Sequence, residues 1–246
     1  MGPRSDPPVA GIQRPKLATG IVAVGFIGLV IGLVVFGSLA VEIRGQELNA
    51  LDSIATPFLH DRASPLRDFV MNAATFVGSD YVILPVLAIA LGLLLRNGHV
   101  RESVFLGVAV GGSATVNWIM KLAFQRPRPR LPWAHVLPDY SFPSGHTMNS
   151  FVLLVGLALL AWAFFGRRIG SLALAVALGL VFLIGTSRIY LGYHYFTDVI
   201  GGAAAGLVWI LIVGGALRFG PTVAGWRLRP AQPVPVHRRK RGAARS

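Results

Sequence analysis

The sequence predicts an all-α, polytopic membrane protein with six transmembrane helices plus one interfacial helix. Three observations lead there. Of its 246 residues, 54% are hydrophobic and only 13% are charged, a balance typical of chains whose solvent is lipid. Six apolar stretches approach the roughly 20 helical residues needed to cross a hydrocarbon core. Lysine and arginine collect at the chain ends and in short connectors, not along a folded polar face. Residues 17–220 are read as one membrane domain between an N-terminal tail, 1–16, and a basic C-terminal tail, 221–246.

The first apolar stretch runs from Leu17 to Val41. Ser38 to Ala40 resembles a signal-peptide cleavage site, but the run exceeds the usual 7 to 15 apolar residues of a cleaved leader, so it is read as an anchor. Leu66, Phe69, Val70, Ala73 and Val77 then recur at helical spacing, with Arg67, Asp68 and Asn72 falling elsewhere. That pattern fits a helix lying on the membrane surface, or equally one packed against the bundle. The second span, Tyr81 to Leu95 between Asp80 and Arg96, is short and must borrow flanking residues or thin the bilayer. The remaining spans are expected near Ser103–Met120, Thr147–Phe165, Ile169–Thr186 and Phe196–Leu217. An even number returns the chain to its starting side. Arg4, Arg14 and Lys16, Arg96 and Arg101, Arg167 and Arg168, and the Arg-rich tail then share one face. By the positive-inside rule that face is cytoplasmic, and both termini lie there.

Composition removes several chemistries. There is no cysteine, which excludes thiolate nucleophiles, disulfides and thiolate metal sites. The ten acidic residues are scattered, so no carboxylate cluster for a metal appears, and neither metal nor cofactor is expected. The net charge of +13 is read as membrane-directed, not nucleic-acid-directed. The tail from Trp226 to Ser246 is rich in Arg, Pro and Ala without an apolar period, and suits anionic lipid headgroups.

Three polar islands remain, all on the face opposite the basic connectors. The first, Lys121 to Arg130, reads KLAFQRPRPR. It defies the positive-inside pattern, and its prolines stiffen a guanidinium-rich loop suited to anions. The second is Pro143-Ser144-Gly145-His146 at the start of the fourth span. Ser144 can cap the helix, Gly145 lets backbone approach an anion, and the helix N-terminus favours phosphate. Taken alone, Ser144 and Gly145 do no more than cap a helix. His146 just inside an apolar helix calls for a partner or a task, and imidazole suits proton transfer. The third island, Ser187 to Asp198, puts His194 four residues before Asp198. If the helix has begun, the carboxylate can take the Nδ1 proton and leave Nε2 as nucleophile or base. Read alone, such a pair at a helix start is more often an ordinary structural hydrogen bond. Arg188 adds a cation.

These residues resemble the type 2 phosphatidic acid phosphatase family, whose fold and active site are shared with vanadium haloperoxidases and certain soluble acid phosphatases. The family pattern is met by Lys121, Arg128 and Pro129; by Pro143, Ser144, Gly145 and His146; and by Ser187, Arg188, His194 and Asp198. Eleven identities fall in order with the right gaps. Phe196 stands where many members carry proline. The resemblance covers roughly Leu17 to Leu217 and neither tail. It implies that His194 attacks phosphorus to form a phosphohistidine, that Asp198 orients it, and that His146 protonates the departing oxygen. It further implies that Lys121, Arg128, Ser144, Gly145 and Arg188 hold the phosphoryl oxygens without a metal.

A soluble phosphatase needs no transmembrane helices, so the implied substrate is a lipid phosphate or diphosphate: a prenyl diphosphate, phosphatidic acid or phosphatidylglycerol phosphate. Arg126 and Arg130 are further candidates for a second phosphate. A phosphotransferase using the same phosphohistidine is the nearest alternative, and a lipid transporter or scramblase is the alternative of another class.

Overall fold

A computed structural model describes residues 15–45, 50–61, 63–134 and 137–219. The expected C-terminal tail and nearly all of the N-terminal one lie outside the described residues. Among the described residues every regular element is a helix: α1 (Pro15–Arg44), α2 (Ala50–His60), α3 (Pro65–Val77), α4 (Asp80–Arg96), α5 (Val100–Phe124), α6 (Gly145–Tyr190) and α7 (Phe196–Phe219).

Helix α6 has 46 residues, about 70 Å at about 1.5 Å per residue, more than twice an ordinary hydrocarbon core. It is broken at Gly166, whose φ of 81° and ψ of −176° are not helical. Only glycine takes that conformation without strain. The break falls just before Arg167 and Arg168, where the sequence separates its fourth and fifth spans. By length and composition four helices can cross a membrane, α1, α5, α6 and α7, and α3 with α4 forms a bent pair at 45° that makes a fifth. The expected second span is α4, which has 17 residues and reaches crossing length only together with α3.

The chain shuttles between two ends of the bundle. Asp80 at the start of α4, Lys121 near the end of α5, Gly145 at the start of α6 and Arg188 near its end all line one cavity. Arg96, Arg101 and the Gly166 break therefore lie at the other end. There Arg101 donates a hydrogen bond to the Leu217 carbonyl, and His99 packs on Phe164.

The core sits between α4, α5, both arms of α6 and α7. Ile83, Leu106, Val110, Val152 and Val213 form one cluster; Phe151, Val155, Val181 and Ile210 form another. Outward positions such as Phe26, Leu172 and Phe182 are large, apolar and exposed, as befits helices solvated by lipid. Trp209 of α7 donates its indole N–H to the Ala109 carbonyl of α5 at 2.8 Å. Gly202 of α7 lies so close to the chain before α6 that a Cβ would stand 2.7 Å from the Ser144 carbonyl oxygen.

Helix α3 forms where the apolar spacing suggests. Ser64 caps it, accepting from the Arg67 N–H, and Pro65 occupies its first turn. Its stripe is exposed at Leu66 and Phe69, while another face joins α6, with the Tyr190 hydroxyl donating to Asp68 at 2.5 Å. Helix α2 was not anticipated, and it is inside-out. Asp52 and Thr56 are 3% exposed, whereas Leu51, Ile54 and Phe58 are 53%, 61% and 54% exposed.

Candidate active site

The three polar islands meet in one cavity of about 340 Å³, lined by Lys121, Arg128, Gly145, His146, Arg188 and His194, with Asp80, Asn117, Asp139 and Asn149. Six of the eight residues singled out from sequence thus share it. Asp198 stands behind His194, fully buried.

Local structure places each group. Lys121 occupies the last turn of α5, and Gln125 ends that helix in the left-handed region, φ 47°, turning the chain into the RPRP loop. The Ser141 N–H donates to the Arg126 carbonyl at 2.9 Å and folds that loop back toward α6. The N–H groups of Tyr193 and His194 both donate to the Arg188 carbonyl, at 3.0 and 3.2 Å. His194 is held there as α6 gives way to α7.

The tautomer of His194 follows from its neighbours. Arg128 Nη1 lies 3.2 Å from Nε2, and a guanidinium only donates. The Nε2 lone pair therefore faces Arg128, and the ring proton sits on Nδ1, 3.3 Å from Asp198 Oδ2. Asp198 Oδ2 also accepts the Tyr195 N–H at 2.9 Å, which keeps this oxygen directed at the loop. Burial, then the charges of Arg128, Arg188 and Lys121, push the His194 imidazole well below its ordinary pKa. That direction favours the neutral ring, with the Nε2 lone pair unprotonated.

The cations are arranged to receive an anion. Arg188 spends Nη1 on the Thr75 hydroxyl at 2.6 Å and stacks over the Tyr193 ring at 4.2 Å. Its buried Nε has no hydrogen-bond partner among the described residues, a donor that burial leaves unsatisfied. Asp139, not foreseen from sequence, bridges the other two cations. It accepts from Lys121 Nζ at 2.5 Å and from Arg128 Nη2 at 2.7 Å. Burial works to raise its pKa, yet the hydrogen bonds and charges of Lys121 and Arg128 hold the carboxyl below its ordinary value.

Two expectations are corrected. Ser144 precedes α6, but its side chain makes no capping bond to a backbone N–H. It is fully buried, and its Oγ accepts from Thr147 Oγ1 at 3.1 Å, away from the cavity lining. Its backbone contributes instead: the Ser144 N–H donates to the Asp198 carbonyl at 3.0 Å. Arg126, expected as a candidate for a second phosphate, is buried and ion-paired to Asp198 at 2.6 Å and Asp52 at 2.7 Å. Against burial, which works to lower it, Asp198 and Asp52 hold its pKa above the ordinary value.

Asn117 and Asn149 were also missed. Asn117 donates to the Pro143 carbonyl at 3.2 Å, supporting the turn into α6, and Asn149 accepts from Ser113 Oγ at 2.8 Å. Their signal was polarity recurring inside α5 and α6 on faces aimed at the bundle.

Known proteins resemble this chain in sequence and in fold. The chain is 29% identical to Phosphatidylglycerophosphatase B of Bacillus subtilis over 154 residues, 61% of this chain and 75% of that one. It is 30% identical to Putative undecaprenyl-diphosphatase YbjG of Escherichia coli over 146 residues, 57% of this chain and 70% of that one. Among solved structures, a transmembrane PAP2 type phosphatidylglycerolphosphate phosphatase from Bacillus subtilis superposes with a TM-score of 0.70 at 26% identity, covering 81% of this chain and 98% of that one. Residues 102–216, which carry every cavity cation and both imidazoles, match the PAP2 superfamily. The chain belongs to the PAP2 superfamily.

Proposed function

We propose that this protein is an integral membrane lipid phosphatase that hydrolyses a lipid phosphate or diphosphate through a phosphohistidine on His194, at the extracytoplasmic face. The observation that carries the reading is His194 with its Nε2 turned to Arg128 and its Nδ1 to Asp198, in the same cavity as His146, Lys121 and Arg188.

The chemistry follows from that geometry. A phosphoryl group entering between Arg128 and His194 exchanges their contact for its own oxygens, which Arg128, Lys121 and Arg188 neutralise. Nε2 attacks phosphorus and the P–O bond to the leaving group breaks, the ester bond of a monophosphate or the anhydride bond of a diphosphate. The proton on Nδ1 stays between the ring and Asp198, whose carboxylate offsets the charge that develops on the imidazole. His146, taking up a proton as the anionic phosphoryl group binds beside it, gives that proton to the departing oxygen. It then accepts one from the water that attacks phosphorus, as the N–P bond breaks and inorganic phosphate leaves. Roles for Gly145 and its N–H follow from its place on the cavity wall at the start of α6.

A membrane-embedded bundle suits a substrate whose tail remains in lipid. The named relatives act on phosphatidylglycerophosphate and undecaprenyl diphosphate, and the same class is assigned here. Six crossings, with α6 counted as two arms about Gly166, put Arg96, Arg101, Arg167 and Arg168 at the end away from the cavity. The positive-inside rule then turns the cavity outward.

The test is phosphate release by the purified protein from phosphatidic acid, phosphatidylglycerophosphate and undecaprenyl diphosphate without added acceptor, with acid-stable and acid-labile phosphoprotein measured in parallel. Release that disappears in His194→Ala and falls by roughly 10²- to 10⁴-fold in His146→Ala is expected. Full release by His194→Ala would overturn the nucleophile assignment, and turnover only with an acceptor lipid would make the protein a phosphotransferase.

A further inference from the structure

We propose that Asp52 of α2 is a positioning residue for this reaction: acting through Arg126, it holds the Asp198 carboxylate in the orientation that serves His194. The proposal rests on the phosphohistidine reading above and extends the machinery to a helix outside the family-matched residues 102–216.

The contacts form one buried chain. Asp52 Oδ2 accepts from Arg126 Nη2 at 2.7 Å, and Arg126 Nη1 donates to Asp198 Oδ1 at 2.6 Å. The other Asp198 oxygen faces His194 Nδ1. Thr197 ties the chain together: its N–H donates to Asp52 Oδ1 at 2.8 Å, its hydroxyl donates to Asp52 Oδ2 at 2.7 Å, and its own Oγ1 accepts from Arg126 Nη1 at 2.8 Å. The guanidinium lies over the Tyr195 ring at 4.2 Å. Both carboxylate side chains are wholly buried, and that of Arg126 is 9% exposed.

Charge explains why two carboxylates are needed. A buried guanidinium paired with Asp198 alone would neutralise it, and a neutralised carboxylate is a poor acceptor for the His194 Nδ1 proton. Asp52 shares the guanidinium, so the triad of Asp52, Arg126 and Asp198 keeps one net negative charge. That charge is matched only when the imidazole becomes cationic as Nε2 bonds to phosphorus, so the arrangement favours the transition state over the resting enzyme. Asp52 and Arg126 do not line the cavity. Their removal should therefore alter turnover and leave lipid binding as it is.

The experiment measures kcat and KM for the full chain in liposomes, on whichever of phosphatidic acid, phosphatidylglycerophosphate or undecaprenyl diphosphate the wild type turns over. Asp52→Asn keeps the shape and removes the charge. A kcat lowered by roughly 10²-fold, as for a small misplacement of a reacting group, with KM within about twofold, is expected. Arg126→Gln leaves two buried carboxylates without their cation, so the double variant Asp52→Asn/Arg126→Gln should be more active than Arg126→Gln alone. Thr197→Val, which removes only the bridging hydroxyl, should also lower kcat at constant KM, and it serves as the test if Asp52→Asn does not accumulate. Wild-type kcat in Asp52→Asn or, failing that, in Thr197→Val overturns the proposal, as does a loss confined to KM or losses that simply multiply in the double variant. If the wild type releases phosphate from none of the three lipids, the functional reading fails first. An active wild type with an equally active Asp52→Asn sinks the positioning role alone.

Discussion

The backbone N–H of Ser144 donates to the carbonyl of Asp198 at 3.0 Å, stitching the entry to α6 onto the first turn of α7. His146 lies two residues beyond one end of this bond, and His194 four residues before the other. The relative placement of the two imidazoles is thereby set by backbone, not by flexible side chains.

That stitch predicts the effect of a single methyl group. In Gly202→Ala the new Cβ would meet the Ser144 carbonyl oxygen at 2.7 Å, and neither backbone can yield without moving a histidine. A stability loss of about 1 to 3 kcal/mol with a fall in kcat is expected, read by thermal unfolding in detergent and by phosphate release. Gly179→Ala, whose Cβ would meet nothing within 4 Å, is the control and should leave activity unchanged while stabilising the helix by up to about 1 kcal/mol.

The pH profile should report the surroundings of His194. Its depressed pKa keeps the nucleophile neutral through mildly acid solution, so the acid limb of kcat/KM should lie well below the ordinary imidazole value of about 6.5. Arg128→Gln removes a nearby positive charge that disfavours the imidazolium, so the His194 pKa rises and the acid limb moves to higher pH. A limb that stays in place would mean that Arg128 does not govern the ring.

Asp139 is paired with Lys121 and Arg128, the cations proposed to hold the phosphoryl oxygens. In Asp139→Asn both cations are released to the phosphoryl oxygens, and the repulsion of one cavity carboxylate is removed. KM should fall, and inhibition by inorganic phosphate should strengthen. A rise in KM would mean instead that Asp139 holds the two cations in place for binding.

Orientation is open to direct labelling because the chain has no cysteine. Trp133→Cys, on the loop at the cavity end, should react with an impermeant maleimide in intact cells, and Arg167→Cys only after permeabilisation. The reverse pattern would turn the cavity inward.

Much of this was written locally. Apolar runs of helical length mark the spans, the i, i+4 spacing of His194 and Asp198 anticipates their contact, and the residues at Gly166 to Arg168 foretell the break in α6. What escaped was long-range. Asp52 meets residues 74 and 145 positions away, and no local periodicity encodes such a partner. Arg126 and Arg128 differ by two positions on a proline-stiffened loop, a spacing that in extended chain would put both on one face, yet one turns to buried carboxylates and the other to the cavity. Sequence treats them as like cations. Ser144 has the composition of a helix cap, yet burial against Thr147 takes its hydroxyl.

Through the role proposed for Asp52, the inverted amphipathicity of α2 would couple catalysis to the protein's own solvent. Its oily side, Leu51, Ile54 and Phe58, looks outward, so it rests comfortably only where the surroundings are themselves oily. A short-chain surfactant that wets this belt should loosen α2, and with it Asp52, before the main bundle unpacks. Preparations silent in such a surfactant and revived by added phospholipid would be the enzyme behaving as this helix dictates.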